Sequence, residues 1–268
     1  MVDAVVLTWR VSSMPAEDSI DSSSIGLLAM LRPGEIAGST LASQVASQLD
    51  AAIAMGILAK GTRLPSEPEL AAALGVSQMT LRSALATLRT RGLIATVRGR
   101  GGGSVVRGRA EPLESAIRGR LLTTGADELR DLGDLYSAVT AAAAGLAAGR
   151  ADENDILGLE ELATLLSAAT TAGEFWRLAS RFQVKTGMAA QSGRLTAAIL
   201  RVQIDLAGLR SNAIDRESLA AGFPHSQIVE SIRDGDERAA REAAAQQCDA
   251  EIQALINCRL QLLLETDG

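Results

Sequence analysis

Hydrophobic positions recur at helical spacing along most of this chain, interrupted by one short stretch that reads as strand. From Ser39 onward, Leu41, Val45, Leu49, Ile53 and Ile57 fall four residues apart. That spacing marks one face of a helix, with Ser39 or Thr40 as its N-cap and Gly61 and Pro65 closing the segment. Ser66-Glu67-Pro68-Glu69 reads as a capping box with proline in the first turn, opening a second helix that carries Leu70, Ala71 and Leu74 to Gly75. A third helix begins at Ser77 and runs through Leu81, Ala84, Leu85 and Leu88 to Gly92. Two short helices joined by Gly75-Val76-Ser77 predict a helix-turn-helix. Leu93-Ile94-Ala95-Thr96-Val97 then reads as a strand and Gly103-Ser104-Val105-Val106 as its partner, with Arg98-Gly99-Arg100-Gly101-Gly102 as a flexible basic tip between them. The pattern therefore predicts a winged helix-turn-helix over residues 38–107.

Residues 1–37 lack sustained periodicity and contain the polar run Glu17-Asp18-Ser19-Ile20-Asp21-Ser22-Ser23-Ser24. They are expected to form a mostly disordered extension, with a short helix near Ile25–Leu31. Residues 108–123, around and beyond Arg107–Pro112, are expected as a linker. From 124 to 268 the chain reads as helix: Glu128–Arg150, Asp152–Ala172, Glu174–Ala190, Arg194–Ala213, Ser226–Asp234 and a long Glu237–Leu264. Breaks are expected at Gly149, Gly173, Gly193, Gly222 and Pro224. The fold class is mainly α, an N-terminal winged helix-turn-helix followed by an all-α bundle.

Composition narrows this. Aromatic residues make up only 2% of the 268, which disfavours a β-sandwich and favours Ala/Leu helices with small side chains at their contacts. No apolar run is long enough to span a membrane, and Ala4-Val5-Val6-Leu7 is too short for a secretory leader, so a cytoplasmic protein is expected. Cys248 and Cys258 fit neither a CxxC site nor a disulfide framework, and a single histidine, His225, all but excludes multi-histidine metal sites. The sequence offers no acid–base cluster, nucleotide loop or nucleophile motif, so no enzyme is expected. Charge changes the picture more. The chain carries a net charge of −6, yet residues 38–110 hold nine Arg/Lys against three Asp/Glu. A basic module on an acidic chain is the footprint of a nucleic-acid reader.

The ordered run Gly61-Thr62-Arg63-Leu64-Pro65-Ser66-Glu67, Glu69-Leu70-Ala71, Gly75-Val76-Ser77, Leu81-Arg82-Ser83-Ala84-Leu85, Leu88 and Gly92-Leu93-Ile94 resembles the DNA-binding domain of the GntR family of bacterial transcriptional regulators. In a helix-turn-helix the second helix enters the major groove by its N-terminal end, which places Ser77, Gln78, Met79, Thr80 and Arg82 at base edges. Gln can pair with adenine and Arg with guanine, while Ser and Thr reach bases or phosphates. The resemblance adds contacts from Arg63, from the start of the second helix at Ser66, and from the wing tip. There Gly99 and Gly101 admit backbone into the minor groove, and Arg98 and Arg100 meet phosphate. Where family members often carry Arg, this chain has Pro68 and Gln78, which implies weaker binding or a less G-rich operator.

The helical half, through Leu146-Ala147-Ala148-Gly149-Arg150-Ala151 and His225-Ser226-Gln227-Ile228-Val229-Glu230-Ser231-Ile232 with Gly235-Asp236 and Ala240, resembles the FadR-like branch. The effector domain of that branch, often called FCD, is an antiparallel helical bundle. Many such domains hold a divalent metal with one Asp and three His. The resemblance places the last two ligands at His225 and Gln247. It leaves the first pair open between Ala179 with Gln183 in one register and Arg181 with Lys185 in another. Neither register supplies a ligand pair, so no metal and no other cofactor is expected. Gln183, His225 and Gln247 would then form a neutral polar pocket, or Arg181 or Lys185 would supply positive charge for a carboxylate. His225 could equally cap the helix after Pro224. Pocket positions that are often Arg and Glu in the branch are Tyr136 and Thr140 here. What this implies is a homodimer binding a palindromic double-stranded operator, with DNA affinity set by a small effector, an organic acid, and no membrane partner. The alternative is a DNA-binding regulator or scaffold with a degenerate pocket, controlled by a protein partner.

Overall fold

The structure is a computed structural model, and it describes residues 40–97, 103–108, 114–210 and 225–266. It divides into two compact units, Met1–Ala110 and Glu111–Gly268. The wing tip, with Arg98, Gly99, Arg100 and Gly101, the expected extension 1–37, and the stretch from 211 to 224 lie outside the described residues.

The first unit is built of α1 (Leu41–Ala54), α2 (Glu67–Leu74), α3 (Gln78–Thr90), β1 (Ile94–Val97) and β2 (Gly103–Val106). Thr40 is the N-cap of α1, its hydroxyl accepting the Ser43 N–H. The helix stops well before Gly61, because Gly56 takes a left-handed backbone conformation that ends it and Ile57 falls outside. Val45, Leu49 and Ile53 nonetheless share the buried face that their spacing predicts, against Leu70 and Leu74 of α2 and Leu81, Ala84, Leu85 and Leu88 of α3. The capping box at α2 is formed in full: Ser66 Oγ accepts from the Glu69 N–H, and the Glu69 carboxylate accepts from the Ser66 N–H at 3.0 Å. The Ser66 hydroxyl, donating to Glu69 Oε2 at 2.7 Å, and then the Ser66 N–H hold the Glu69 carboxyl below its usual range. Gly75 supplies the left-handed residue between α2 and α3. β1 and β2 pair antiparallel with Ile94 opposite Val106, and the segment before α2 joins them through an isolated bridge between Arg63 and Val105.

The second unit is helical throughout its described residues: α4 (Glu114–Thr123), α5 (Ala126–Arg150), α6 (Glu153–Ala168), α7 (Ala172–Ala189), α8 (Gly193–Ala207), α9 (His225–Arg233) and α10 (Glu237–Thr266). The expected linker 108–123 is thus corrected over its second half. Residues 114–123 are helix α4, which packs on α10 with Ile117 and Leu121 buried. Two of the expected breaks also move. Gly149 lies inside α5, and the stop before α7 falls at Ala169 to Thr171, where the Thr171 hydroxyl caps the helix and leaves Gly173 in its first turn. A side chain that caps an N-terminus outweighs a nearby glycine, because it satisfies a backbone donor that would otherwise be orphaned.

The long helices α5 and α10 form the spine and run antiparallel. Gly133 faces Ile252, Tyr136 bonds Glu251, Gly145 faces Arg241 and Gly149 faces Glu237, so numbering rises along one helix as it falls along the other. Side chains here are small where the helices approach: Ala143, Ala144 and Ala147 on α5, and Ala240 and Ala244 on α10, are wholly buried. A Cβ at Gly145 would collide with the Arg241 side chain, so glycine fits the contact. α7 lies between α6 and α8 and packs on α5.

Candidate functional site

Two surfaces gather the residues singled out from the sequence. On the first unit, the N-terminal half of α3 stands clear of the core. Ser77 caps the helix, accepting from the Thr80 N–H at 3.1 Å, and its hydroxyl pairs with that of Thr80 at 2.8 Å. Gln78 and Arg82 are exposed, and Met79 is 82% exposed although it is a large apolar residue. The opposite face carries Leu81, Ala84, Leu85 and Leu88 into the core, so the exposed residues are fixed in direction by packing behind them. Arg82 Nε donates to Glu67 Oε2 at 2.6 Å, a bond from α3 to the start of α2. Ser66 is committed to its capping box. Arg63 is exposed on the bridge beside β2.

On the second unit, the polar residues converge inside the bundle. Gln183 of α7 donates through Nε2 to Gln247 Oε1 of α10 at 3.0 Å, and Gln247 Nε2 lies 2.9 Å from His225 Nε2 of α9. Donation along this ladder requires an unprotonated His225 Nε2, which makes the imidazole the Nδ1–H tautomer. The ring stands edge-on to Phe182, with centroids 4.8 Å apart, and to Phe175 at 6.1 Å. His225 opens α9, and its side chain is buried. Arg181 and Lys185 go elsewhere. Lys185 Nζ donates to Asp155 of α6 at 2.7 Å, while Arg181 lies near Glu161 of the same helix. The two registers left open along α7 are therefore separated by helix geometry: the face of Ala179 and Gln183 meets α9 and α10, and that of Arg181 and Lys185 meets α6.

Next to this ladder is a second group, of which sequence reasoning named Tyr136 and Thr140 but missed Arg210, Glu251 and Ser180. Arg210, just beyond α8, is buried and donates through Nε to Glu251 Oε1 at 2.7 Å and through Nη1 to Ser180 Oγ at 2.6 Å, with Nη2 also 2.7 Å from Glu251 Oε1. Its guanidinium carbon sits 5.0 Å from the centre of the Trp176 ring. Tyr136 donates to the other Glu251 oxygen at 3.1 Å. Burial and the Glu251 charge push the Tyr136 hydroxyl well above its ordinary range, so it remains a donor. Thr140 lies one turn further along α5, buried beside the Cys248 thiol, which burial likewise keeps protonated. The signals were spacing alone: Glu251 follows Gln247 by one turn, and Ser180 precedes Gln183 by one. Among the described residues, Gln183 Oε1 and both amide atoms of buried Gln203 on α8 make no well-aligned hydrogen bond, although Gln203 lies near enough to the Tyr136 hydroxyl to hold its pKa down against the larger rise from burial. Buried polar atoms left this way cost about 1–3 kcal/mol each, so they mark a place suited to a polar guest or water.

A divalent metal, which the FadR-like resemblance raises, does not fit this donor set. One imidazole and two amides stand where an Asp and three His would be needed, and Gln183 Nε2, both Gln247 amide atoms and His225 Nε2 are taken up by one another. Among the described residues no three His, Cys, Asp or Glu side chains come together as a metal-holding group.

Fold and site together define a winged helix-turn-helix protein with a helical bundle enclosing a polar core. Residues 41–103 match the family of "Bacterial regulatory proteins, gntR family", and residues 131–250 match the "FCD domain". The chain thus carries a GntR-family helix-turn-helix domain followed by an FCD domain. It is 36% identical over 162 residues to the Mycobacterium gastri protein named as HTH-type transcriptional regulator RmpR, a match spanning 60% of this chain and 59% of that protein. Among solved structures it is similar to E. coli McbR/YncC, with a TM-score of 0.51 at 19% identity, covering 82% of this chain and 98% of that one. At that identity the likeness concerns the fold alone. No helix among the described residues is long and apolar enough to cross a membrane.

Proposed function

We propose that this chain is a transcriptional regulator that binds a palindromic double-stranded operator as a homodimer, its DNA affinity governed by a small organic effector held in the polar core of the bundle. The observation that carries the reading is the state of α3. Its N-terminal half offers Ser77, Gln78, Met79, Thr80 and Arg82 outward, held by an apolar scaffold packed behind them. Gln and Arg can read adenine and guanine, and exposed Met79 suits a thymine methyl. Arg63 beside the wing, with Arg98, Gly99, Arg100 and Gly101 at its tip, would hold backbone phosphates. Gln183, His225, Gln247, Tyr136 and Thr140 would line the effector site. The family likeness implies an organic acid, but Arg181, Lys185 and Arg210 each face an acidic side chain of the chain itself, which argues against an anionic guest.

The test is selection of duplexes from a random pool by the full chain, followed by fluorescence anisotropy on the selected sites across a salt series. Inverted-repeat sites bound about 10³-fold or more above scrambled DNA, with affinity falling steeply as salt rises, are expected. Binding with no sequence preference would sink the reading.

A further inference from the structure

Glu251 stands in the bundle's interior as a side-chain carboxylate that every nearby group treats as a ligand. Arg210 presents Nε and Nη2 to one oxygen, each at 2.7 Å, and Tyr136 donates to the other at 3.1 Å. Nη1, the remaining face of the guanidinium, is taken by Ser180 at 2.6 Å. The side chains of Arg210 and Glu251 are only 3% and 1% exposed, so this pair is shielded from solvent and its charges are matched internally. The other buried cation, Lys185 of α7, is neutralised by Asp155. Among the described residues the buried atoms of this core without a well-aligned hydrogen bond include Arg210 Nη2, whose charge Glu251 already meets at 2.7 Å, and the uncharged Gln183 Oε1 and amide of Gln203, both on wholly buried side chains.

We propose that Glu251 is a built-in carboxylate occupying the Arg210 cradle that an organic-acid effector would need, so that the core site accepts uncharged hydrogen-bonding ligands and rejects anions. The inference rests on the reading of the bundle as an effector domain. Its physics is charge accounting. With Arg210 and Glu251 cancelling and His225 in the ladder unprotonated at Nε2, an anionic guest would bring unmatched negative charge to within reach of Glu251, at low dielectric. A carboxamide or alcohol brings none, and can both donate to Gln183 Oε1 and bond the Gln203 amide.

Chemical rescue tests this. Truncating Glu251 to Ala removes the equivalent of an acetate-sized group and leaves Arg210, Ser180 and Tyr136 around the space. In the full-length E251A protein, sodium acetate at a few times its Kd should raise Tm by about 2–4 °C, whereas acetamide and sodium chloride at equal concentration should not. E251Q, which keeps the volume without the charge, should show no such gain. In the parent protein, acetate, propionate and benzoate should stabilise no more than their amides. A folded E251A that responds equally to acetate and acetamide would overturn the proposal, and so would a parent protein stabilised by a carboxylate above its amide. The parent measurement needs no variant and decides the matter even if E251A does not fold. Acetate that rescues E251A without altering operator affinity would remove the effector reading while leaving this role of Glu251 in place.

Discussion

Two arginine–glutamate pairs, one in each unit, have nearly the same bond length and opposite surroundings. Arg82 and Glu67 meet at 2.6 Å on the surface of the winged helix, with side chains 66% and 33% exposed. Arg210 and Glu251 meet at 2.7 Å inside the bundle, almost wholly out of water. Distance therefore says little about what either pair does. Solvent screens the first and keeps its breaking cheap, so a guanidinium on the helix proposed to enter the groove could exchange its carboxylate for a base or phosphate. The second is locked, since parting the two charges would strand each of them in a medium that cannot solvate it. A reader needs exchangeable charge, and a sensor's interior needs charge that stays where it is.

Removing one buried partner is the hardest test of this contrast and carries the largest expected effect. R210A leaves Glu251 charged and unpaired, and should cost about 3–5 kcal/mol in urea unfolding of the full chain. Replacing both partners by apolar residues, as R210M/E251L, should cost far less or even stabilise, because no charge is then buried at all. A loss under 1 kcal/mol in R210A would put water inside the bundle and end the comparison.

The next effect is on recognition rather than stability. R82A should lose about 1–3 kcal/mol of discrimination at one base pair of the selected operator, while its unfolding midpoint stays near that of the parent. Arg82 is the single cation in the first two turns of α3. An unchanged specificity profile would separate Arg82 from base reading.

How much of this could be seen in advance follows the same division. The winged helix was legible because its signals are local. Ser66 and Glu69 announce a capping box three residues apart, and Gly75 marks the turn by its own backbone freedom. The meeting of Gln183, His225 and Gln247 was only half legible, as α7 offered two registers and only packing decides which face of a helix turns inward. Arg210 was invisible. It falls within the helix expected over Arg194–Ala213 but lies just past the observed end of α8 at Ala207, and its partners Glu251, Ser180 and Trp176 are 41, 30 and 34 residues away in sequence. Nor did the run 108–123 look like a helix, because α4 has almost no amphipathic pattern and owes its place to Ile117 and Leu121 packing in the bundle.

A smaller effect separates folding from reading at Ser77. Its hydroxyl accepts the Thr80 N–H at the start of α3, and losing an N-cap of this kind costs about 1 kcal/mol. S77A should show that loss in thermal unfolding of the DNA-free protein, and S77D, which restores the cap, should recover it. If S77D recovered stability yet bound the operator no better than S77A, Ser77 would be a reader as well as a cap.

The smallest expected effect belongs to the exposed pair itself. A double-mutant cycle over E67A and R82A, measured without DNA, should give a coupling of roughly 0.2–1 kcal/mol, shrinking as salt is raised, because both groups remain hydrated and the side-chain entropy of holding them together offsets most of the attraction. With DNA present, E67A should strengthen binding to every duplex a few-fold, since a negative charge leaves the groove-facing side and Arg82 no longer has to give up a partner. A coupling above 2 kcal/mol in the free protein, or weaker binding by E67A, would mean that Glu67 holds Arg82 in its reading pose and that the surface pair is not exchangeable after all. The two pairs would then differ in burial without differing in role.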